Sequence, residues 1–122
     1  MTKMILIVED EPKNLILLRD LLQVSGYSTI EATDGKQGVE LAKSKKPDLI
    51  LMDIMMPVMD GLEATRILKA DATTSNIPVV ALTSYAMKGD EERILKAGCD
   101  GYLSKPFDIQ ELLKEVAEYL SG

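Results

Sequence analysis

Short apolar runs alternate with helix-period segments five times along this chain of 122 residues. The apolar runs are Met4 to Val8, Ser28 to Ala32, Leu49 to Met52, Pro78 to Leu82, and Gly101 to Ser104. The segments with helical periodicity start near Pro12, Gly35, Gly61, Gly89 and Ile109. Such regular alternation predicts an α/β domain in which helices cover both faces of a parallel sheet. The length suits one domain over residues 1–122, and we expect no output domain after the last helix.

The runs differ in polarity, which indicates where each strand lies in the sheet. Three of them are apolar throughout, as is typical of strands buried on both faces, whereas the run at Ser28 is mixed and suits an edge strand. Asp108 followed by Glu111 is a capping-box pattern that opens the last helix. One apolar stripe is predicted on that helix, formed by Ile109, Leu112, Leu113, Val116, Tyr119 and Leu120. The helix near Gly89 has few apolar anchors, chiefly Met87, Ile94 and Ala97.

The composition excludes several kinds of site. There is no histidine, which removes Ser–His–Asp and Cys–His nucleophiles, and with Cys99 as the one cysteine it leaves no zinc site. The net charge is −6, and the basic run Lys43 to Lys46 suits a helix C-terminus, so we expect no nucleic-acid binding. No apolar run could span a bilayer and no signal-peptide pattern is present, so we expect a cytoplasmic protein without membrane attachment.

Acidic, hydroxyl and lysine side chains follow the predicted strands at the points where the strands end. Glu9, Asp10 and Glu11 come after the first strand and Asp53 after the third. Thr83-Ser84 ends the fourth strand and Ser104-Lys105 ends the fifth. In an open parallel sheet, ligands bind beyond these carboxyl ends, where the strand order reverses. We therefore expect these side chains to line one crevice.

Bringing Glu9, Asp10 and Asp53 together is electrostatically unfavourable. Two like charges about 5 Å apart repel by roughly 3 kcal/mol at an effective dielectric constant of about 20. A cluster of this kind must gain a cation, take up a proton or separate. Since carboxylate and carbonyl oxygens are the ligands that Mg²⁺ prefers, a magnesium site that also accepts phosphate is the natural prediction.

Four stretches of this sequence, in this order and with this spacing, resemble the receiver domains of the response-regulator family over essentially the whole chain. They are Val8 to Glu11, Asp48 to Gly61, Pro78 to Ser84, and Tyr102 to Pro106. The resemblance implies a flavodoxin-like, doubly wound sheet of five parallel strands in the order 2-1-3-4-5, with five helices. It also implies two-component signalling, in which a histidine kinase or a histidine phosphotransfer protein supplies a phosphoryl group and a downstream protein reads the result.

The resemblance assigns the phosphoryl chemistry to three residues. Asp53 corresponds to the phosphoacceptor, Thr83 to the hydroxyl that bonds one phosphoryl oxygen, and Lys105 to the residue that pairs with another. The Lys105-Pro106 bond resembles a cis peptide of the family. The chain would promote only its own phosphorylation and dephosphorylation, and we do not expect an enzyme that acts on a separate substrate.

The same resemblance assigns the Mg²⁺ ligands. Asp10 corresponds to a direct ligand, as does Asp53, and Glu9 to a ligand that acts through a bound water. The main-chain carbonyl of Met55 corresponds to the third protein ligand. Met55 and Tyr85 also depart from common polar choices at positions that flank the path of the attacking water, so we hypothesise that their bulk slows hydrolysis of the phosphoryl group.

A conformational switch and a docking surface can be predicted too. Thr83 and Tyr102 correspond to the family's switch pair, in which phosphate draws the hydroxyl inward and the ring turns into the space. On a helical wheel, the predicted core side of the first helix comprises Leu15, Leu17, Leu18, Leu21, Leu22 and Val24. Ile16 falls on the polar side near the site, so we predict that it docks the kinase, with Pro106 as a second docking residue. The stretch Ala86 to Arg93 resembles single-domain regulators of bacterial cell division and cell fate, the DivK type.

Three other functions share part of this layout. A flavodoxin-type electron carrier would have to hold an anionic phosphate where Glu9, Asp10 and Glu11 stand and repel it. A phosphatase with an aspartyl nucleophile usually has a second acid two residues on, where this chain has Met55. A receiver-like binding module that signals without phosphate remains the main alternative. However, all five residues with side chains in the site are intact here: Glu9, Asp10, Asp53, Thr83 and Lys105.

Overall fold

A computed structural model describes residues 2–84 and 88–121, and of residues 88–90 it describes the backbone alone. Strands and helices alternate along the chain. In order they are β1 (Met4–Val8), α1 (Pro12–Val24), β2 (Ser28–Ala32), α2 (Gly35–Lys45), β3 (Leu49–Asp53), α3 (Gly61–Ala70), β4 (Val79–Thr83), α4 (Lys88–Lys96), β5 (Gly101–Ser104) and α5 (Ile109–Leu120). All of the predicted elements are confirmed, with bounds that move by about one residue.

The five strands form a parallel sheet in the order β2-β1-β3-β4-β5, which confirms the predicted flavodoxin-like arrangement. The strand order reverses between β1 and β3, so the crevice for a ligand opens beyond the carboxyl ends of these two strands. Asp53 and Thr83 are the last residues of β3 and β4. The sheet thus delivers both side chains to the rim of this crevice.

Two apolar clusters cover the two faces of the sheet, and residues along each strand alternate between them. Helices α2, α3 and α4 supply residues to one cluster, and α1 and α5 supply residues to the other. β3 and β4 are buried along their whole length, whereas four of the five residues in edge strand β2 are only half-buried. This matches the prediction from polarity.

The prediction for the core side of α1 is wrong at two positions. Leu18 and Leu22, one turn apart, are buried, but Leu17 is 43% exposed and Val24 is 89% exposed. Successive residues of a helix are turned by about 100°, so Leu17 and Val24, seven residues apart, share a face turned away from the sheet. Ile16 is 47% exposed as predicted, but it belongs to this wider apolar surface and is not an isolated exception.

The outer helices hold smaller differences. In α5 the residues Leu112, Val116 and Leu120 are buried at helical spacing, but Ile109 at its first position is exposed, so its predicted place in the apolar stripe is wrong. Asp108 caps this helix by accepting the Glu111 N–H at 3.1 Å, as predicted. Ile94 and Ala97 anchor α4 in the core, whereas Met87 lies outside the described residues. Within the part of the chain that is described, no helix has the length and apolarity to cross a membrane.

Candidate functional site

The register of the central strands places two acidic residues side by side. Val8 pairs with Met52 across β1 and β3, so Glu9 and Asp53 follow paired positions at the same edge of the sheet. On the other side, Asp53 pairs with Leu82, and Thr83 pairs with Ser104. The next residue after Ser104 is Lys105, whose N–H donates to the Thr83 carbonyl at 2.7 Å. The predicted side chains therefore meet at the carboxyl edge because consecutive parallel strands end in step.

Three carboxylates converge in this crevice. One oxygen each from Glu9, Asp10 and Asp53 lies within 4.8 Å of the others. Glu9 is fully buried and Asp53 is 4% exposed, whereas Asp10 is open to solvent. Such a set of oxygen donors, part buried and part reachable from solvent, is chemically suited to a hard divalent cation.

Lys105 is the cation that the described residues provide to these acids. Its Nζ lies 3.0 Å from Oε2 of Glu9 and 3.1 Å from Oδ1 of Asp53. Its side chain is 15% exposed, so the ammonium is shared by two buried carboxylates rather than dispersed in water. One positive charge thus faces two buried negative charges, and Asp10 adds a third acid at the rim.

The hydrogen bonds of Glu9 are incomplete. Its Oε1 accepts the N–H of Glu11 at 3.2 Å. Its Oε2 is buried and accepts no hydrogen bond of regular geometry from the described residues, so the Lys105 ammonium contacts it as an ion pair only. A buried oxygen in this state normally has a water or ion as its partner. This oxygen fits the predicted role of Glu9, which is to hold a metal through a bound water.

The environment of Asp53 opposes its ionisation. Burial, followed by the charge of Glu9, raises the pKa of Asp53 to about 7, although Lys105 acts in the opposite direction. Burial also works against the charge on Lys105, but its contacts with Glu9 and Asp53 outweigh it, so the pKa of Lys105 is raised. The negative charges of the site repel one another, and a further cation would reduce this repulsion.

The two switch residues occupy different surroundings. Thr83 is buried at the end of β4, beside the acidic crevice. Tyr102 in β5 is half-buried and packs against the cluster on the α4 side of the sheet. A hydrogen bond to the Glu91 carboxylate raises the pKa of the Tyr102 hydroxyl. The Tyr102 ring is therefore linked to α4 by this hydrogen bond.

The remaining predicted residues lie at or outside the edge of this site. Met55 is 69% exposed, and its effect on hydrolysis of the phosphoryl group stays a prediction; Tyr85 lies outside the described residues. Pro106 is exposed and follows Lys105 through a cis peptide bond, as predicted. The docking roles of Ile16 and Pro106 stay predictions.

Two features of the site were not predicted from the sequence. The pairing of Lys105 with Glu9 was missed, because the pattern of strand ends does not show which acid a lysine will contact. Glu11 is an N-cap residue of α1, where its side chain accepts the Lys13 N–H at 3.4 Å. Glu11 directly precedes Pro12, and a proline at the first helical position is a pattern from which this cap could have been predicted.

Comparison with known proteins agrees with this geometry. The family model of the response regulator receiver domain matches residues 5–117. Polar-differentiation response regulators DivK of Brucella ovis and Brucella anthropi are each 48% identical over 120 residues, which is 98% of this chain and 98% of theirs. These relatives confirm the predicted likeness to the DivK type.

Solved structures agree as well. The receiver domain of a sensor histidine kinase from Pseudomonas aeruginosa, with a magnesium ion in its active-site cleft, superposes with a TM-score of 0.93. It is 38% identical, and the match covers all of both chains. The chemotaxis protein CheY4 of Vibrio cholerae gives a TM-score of 0.93 at 28% identity, over 98% of this chain and 100% of its own. By sequence, fold and site geometry, this chain belongs to the response-regulator receiver domain family.

Proposed function

We propose that Asp53 accepts a phosphoryl group from a histidine kinase or a histidine phosphotransfer protein. The observation that supports this most strongly is the placement of Asp53, 4% exposed, between the ammonium of Lys105 and the carboxylates of Glu9 and Asp10. A carboxylate that had only a structural role would gain nothing from a crowded acidic pocket. A phosphoacceptor gains from such a pocket, because its acids can hold a metal ion that offsets the negative charge of the transferred group.

The reaction is a displacement at phosphorus. A carboxylate oxygen of Asp53 forms a bond to phosphorus while the bond from phosphorus to the donor nitrogen breaks, and the donor imidazole keeps that electron pair and binds a proton. Lys105, already 3.1 Å from Asp53, pairs with a phosphoryl oxygen, and the Thr83 hydroxyl bonds another. Hydrolysis by water returns Asp53 and inorganic phosphate, so the chain promotes only reactions of its own side chain.

The acidic residues of the site fit Mg²⁺ as the cofactor. Asp10 and Asp53 would hold the ion directly, Glu9 would hold it through a water, and the Met55 carbonyl would complete the protein ligands. When bound, Mg²⁺ supplies positive charge that offsets the negative charge on the transferred group. Two observations on this chain fit such an ion: Oε2 of Glu9 is buried and accepts no hydrogen bond from the described residues, and the pKa of Asp53 is raised.

The output is a change of protein surface. When phosphate draws Thr83 inward, Tyr102 turns toward the space and gives up its hydrogen bond to Glu91, which frees α4 to shift. A downstream protein then binds the altered face. The exposed apolar surface of α1 that includes Ile16, together with Pro106 beside the site, provides the contact for the phosphodonor.

Intact-mass measurement after incubation with acetyl phosphate and Mg²⁺ tests the proposal. The wild type should gain the mass of a phosphoryl group, and the adduct should disappear when EDTA replaces Mg²⁺. Asp53→Asn should gain nothing. Asp48→Asn is the matched control, because Asp48 is an exposed acid at the other edge of the sheet, where it accepts the Met4 N–H.

The opposite result is equally clear. If the wild type gains no phosphoryl mass, or if Asp53→Asn gains as much as the wild type, Asp53 is not the acceptor. The chain would then be the receiver-like binding module that signals without phosphate.

A further inference from the structure

The loop between β3 and α3, residues 54–60, carries the predicted metal-binding carbonyl of Met55. The side chains of Met56 and Met59 are partly buried against the core, but other side chains of the loop are open to solvent. Met55 is 69% exposed and Val58 is 79% exposed. Val58 also has a φ of 69°, a conformation that is unfavourable for a β-branched residue. The backbone therefore keeps this shape because other contacts hold the loop.

Backbone hydrogen bonds at both ends of the loop add to the packing of Met56 and Met59. Its first N–H, from Ile54, donates to the Leu82 carbonyl at 3.2 Å, and Gly61 donates to the Ile54 carbonyl at 2.9 Å. Within the loop, Met59 donates to the Pro57 carbonyl at 2.7 Å across the strained Val58. These bonds close the loop onto β3 and β4.

A further contact comes from a distant part of the sequence. The N–H of Gly35, the first residue of α2, donates to the Met59 carbonyl at 3.1 Å. The first N–H groups of a helix have no partner inside the helix, so this one is available for the loop. A Cβ atom at Gly35 would overlap the Met59 carbonyl oxygen, so the close approach requires glycine.

We infer that Gly35 is a positioning residue for the metal site, because its contact with Met59 fixes the loop that carries the Met55 carbonyl. Asp34 supports it, since its side chain caps α2 by accepting the Gln37 N–H at 2.8 Å and so orders the turn that contains Gly35. The N-terminus of α2 thus acts on the phosphorylation site from the edge of the sheet, without touching the phosphoryl group. This inference rests on the proposed function.

Gly35→Ala tests the inference against a destabilised control. The added methyl must push the Met59 carbonyl away, and we expect the Mg²⁺ concentration for half-saturation to rise about tenfold, the usual effect of losing an outer support of a metal ligand. Gly26→Ala is the control: Gly26 lies at the α1–β2 turn with a φ of 97° and open space around it, so the variant strains the backbone away from the site. Its half-saturation should stay within about twofold of the wild type.

Calorimetric titration with Mg²⁺, and initial rates of labelling by acetyl phosphate across Mg²⁺ concentrations, give the readout. A folded Gly35→Ala chain that binds Mg²⁺ as tightly as Gly26→Ala would overturn the inference while leaving the proposed function intact. A wild type that neither binds Mg²⁺ nor gains a phosphoryl group would instead remove the proposed function.

A milder pair of variants decides the matter if Gly35→Ala does not fold. Asp34→Ala removes the cap of α2 and a hydrogen bond from the Gln37 side-chain amide, and it should raise the half-saturation about threefold. Asp108→Ala removes the equivalent cap of α5, whose side chain accepts the Glu111 N–H at 3.1 Å, and should leave it unchanged. Equal Mg²⁺ affinities for these two variants would contradict the inference.

Discussion

Two half-buried lysines at opposite edges of the same sheet show how differently this chain uses its charges. Lys69, 20% exposed, lies at the amino edge, where its ammonium donates to the carbonyls of Ser75 and Ile77 and to Asp100 at 2.9 Å. Lys105, 15% exposed, lies at the carboxyl edge between Glu9 and Asp53. The first lysine has one acid and neutral acceptors, and the second has two buried acids.

The acids at the two edges differ in the same way. At the amino edge, Asp100 accepts the Val79 N–H at 2.8 Å and Asp48 accepts the Met4 N–H at 2.8 Å, so each carboxylate completes a strand end. At the carboxyl edge, Glu9 keeps an oxygen without a hydrogen bond from the described residues, and the pKa of Asp53 is raised to about 7. Acids whose oxygens accept hydrogen bonds from strand ends have a structural role. Acids whose negative charges the fold brings together without compensation indicate the functional site.

The largest effect is expected when each lysine is removed in turn. Lys105→Met leaves Glu9 and Asp53 without a cation and should lower the free energy of unfolding by roughly 3–5 kcal/mol at about pH 8 in EDTA. Mg²⁺ should restore much of this loss, because it replaces the missing charge. Urea unfolding with and without Mg²⁺ measures both quantities. Lys69→Met is the matched control, and rescue of that variant by Mg²⁺ would show that the two edges do not differ.

The next effect concerns pH. In the folded, metal-free chain the pKa of Asp53 is about 7, above its usual value of 3.8. The folded state therefore holds this proton more tightly than the unfolded state, so the stabilisation is present below pH 3.8 and is lost as the pH rises through about 7. Asp53→Asn should remove this loss and raise the free energy of unfolding at about pH 8 by on the order of 4 kcal/mol.

Unfolding in urea at about pH 5 and about pH 8, in EDTA, is the measurement. The wild type should be less stable at the higher pH, whereas Asp53→Asn should change much less. A variant that is less stable than the wild type at about pH 8 would mean that Asp53 is well accommodated by the fold and that the contrast between the edges is wrong.

The smallest effect is expected at the amino edge. Asp100→Ala leaves the Val79 N–H without its acceptor and removes the acid that pairs with Lys69, and it should cost about 1–2 kcal/mol of stability. Mg²⁺ should not reduce this cost, and labelling of Asp53 by acetyl phosphate should proceed at the wild-type rate. Thermal unfolding together with intact mass would check both; a loss of labelling in a folded Asp100→Ala chain would contradict the separation of structural from functional acids.

The sequence was sufficient for the fold and for the acids of the site because both depend on short-range patterns. Strand polarity and helix periodicity placed every element, and parallel strands that end in step bring Glu9, Asp53, Thr83 and Lys105 together. The prediction for the core side of α1 was wrong because a helical wheel gives the direction of each side chain, but not how much of the helix the neighbouring elements cover. Leu17 and Val24 are apolar, yet the sheet and α5 do not reach them.

Contacts between distant backbone atoms were also beyond the sequence. The hydrogen bond from Gly35 to Met59 joins residues in separate elements, and neither side chain encodes it. The pairing of Lys105 with Glu9 depends on the path of the chain after β5, which strand polarity does not specify. The site side chains that follow regular strands could be predicted from the sequence. The long-range contacts that support them could not.

Calorimetric titration with Mg²⁺ tests most directly whether the acids at the carboxyl edge form a cation-binding site. The wild type should bind a single ion per chain with saturation, Asp53→Asn should bind it at least about tenfold more weakly, and Asp48→Asn should match the wild type. If the wild type shows no saturable binding, or if Asp53→Asn binds Mg²⁺ as tightly as the wild type, the carboxyl edge is not a metal site.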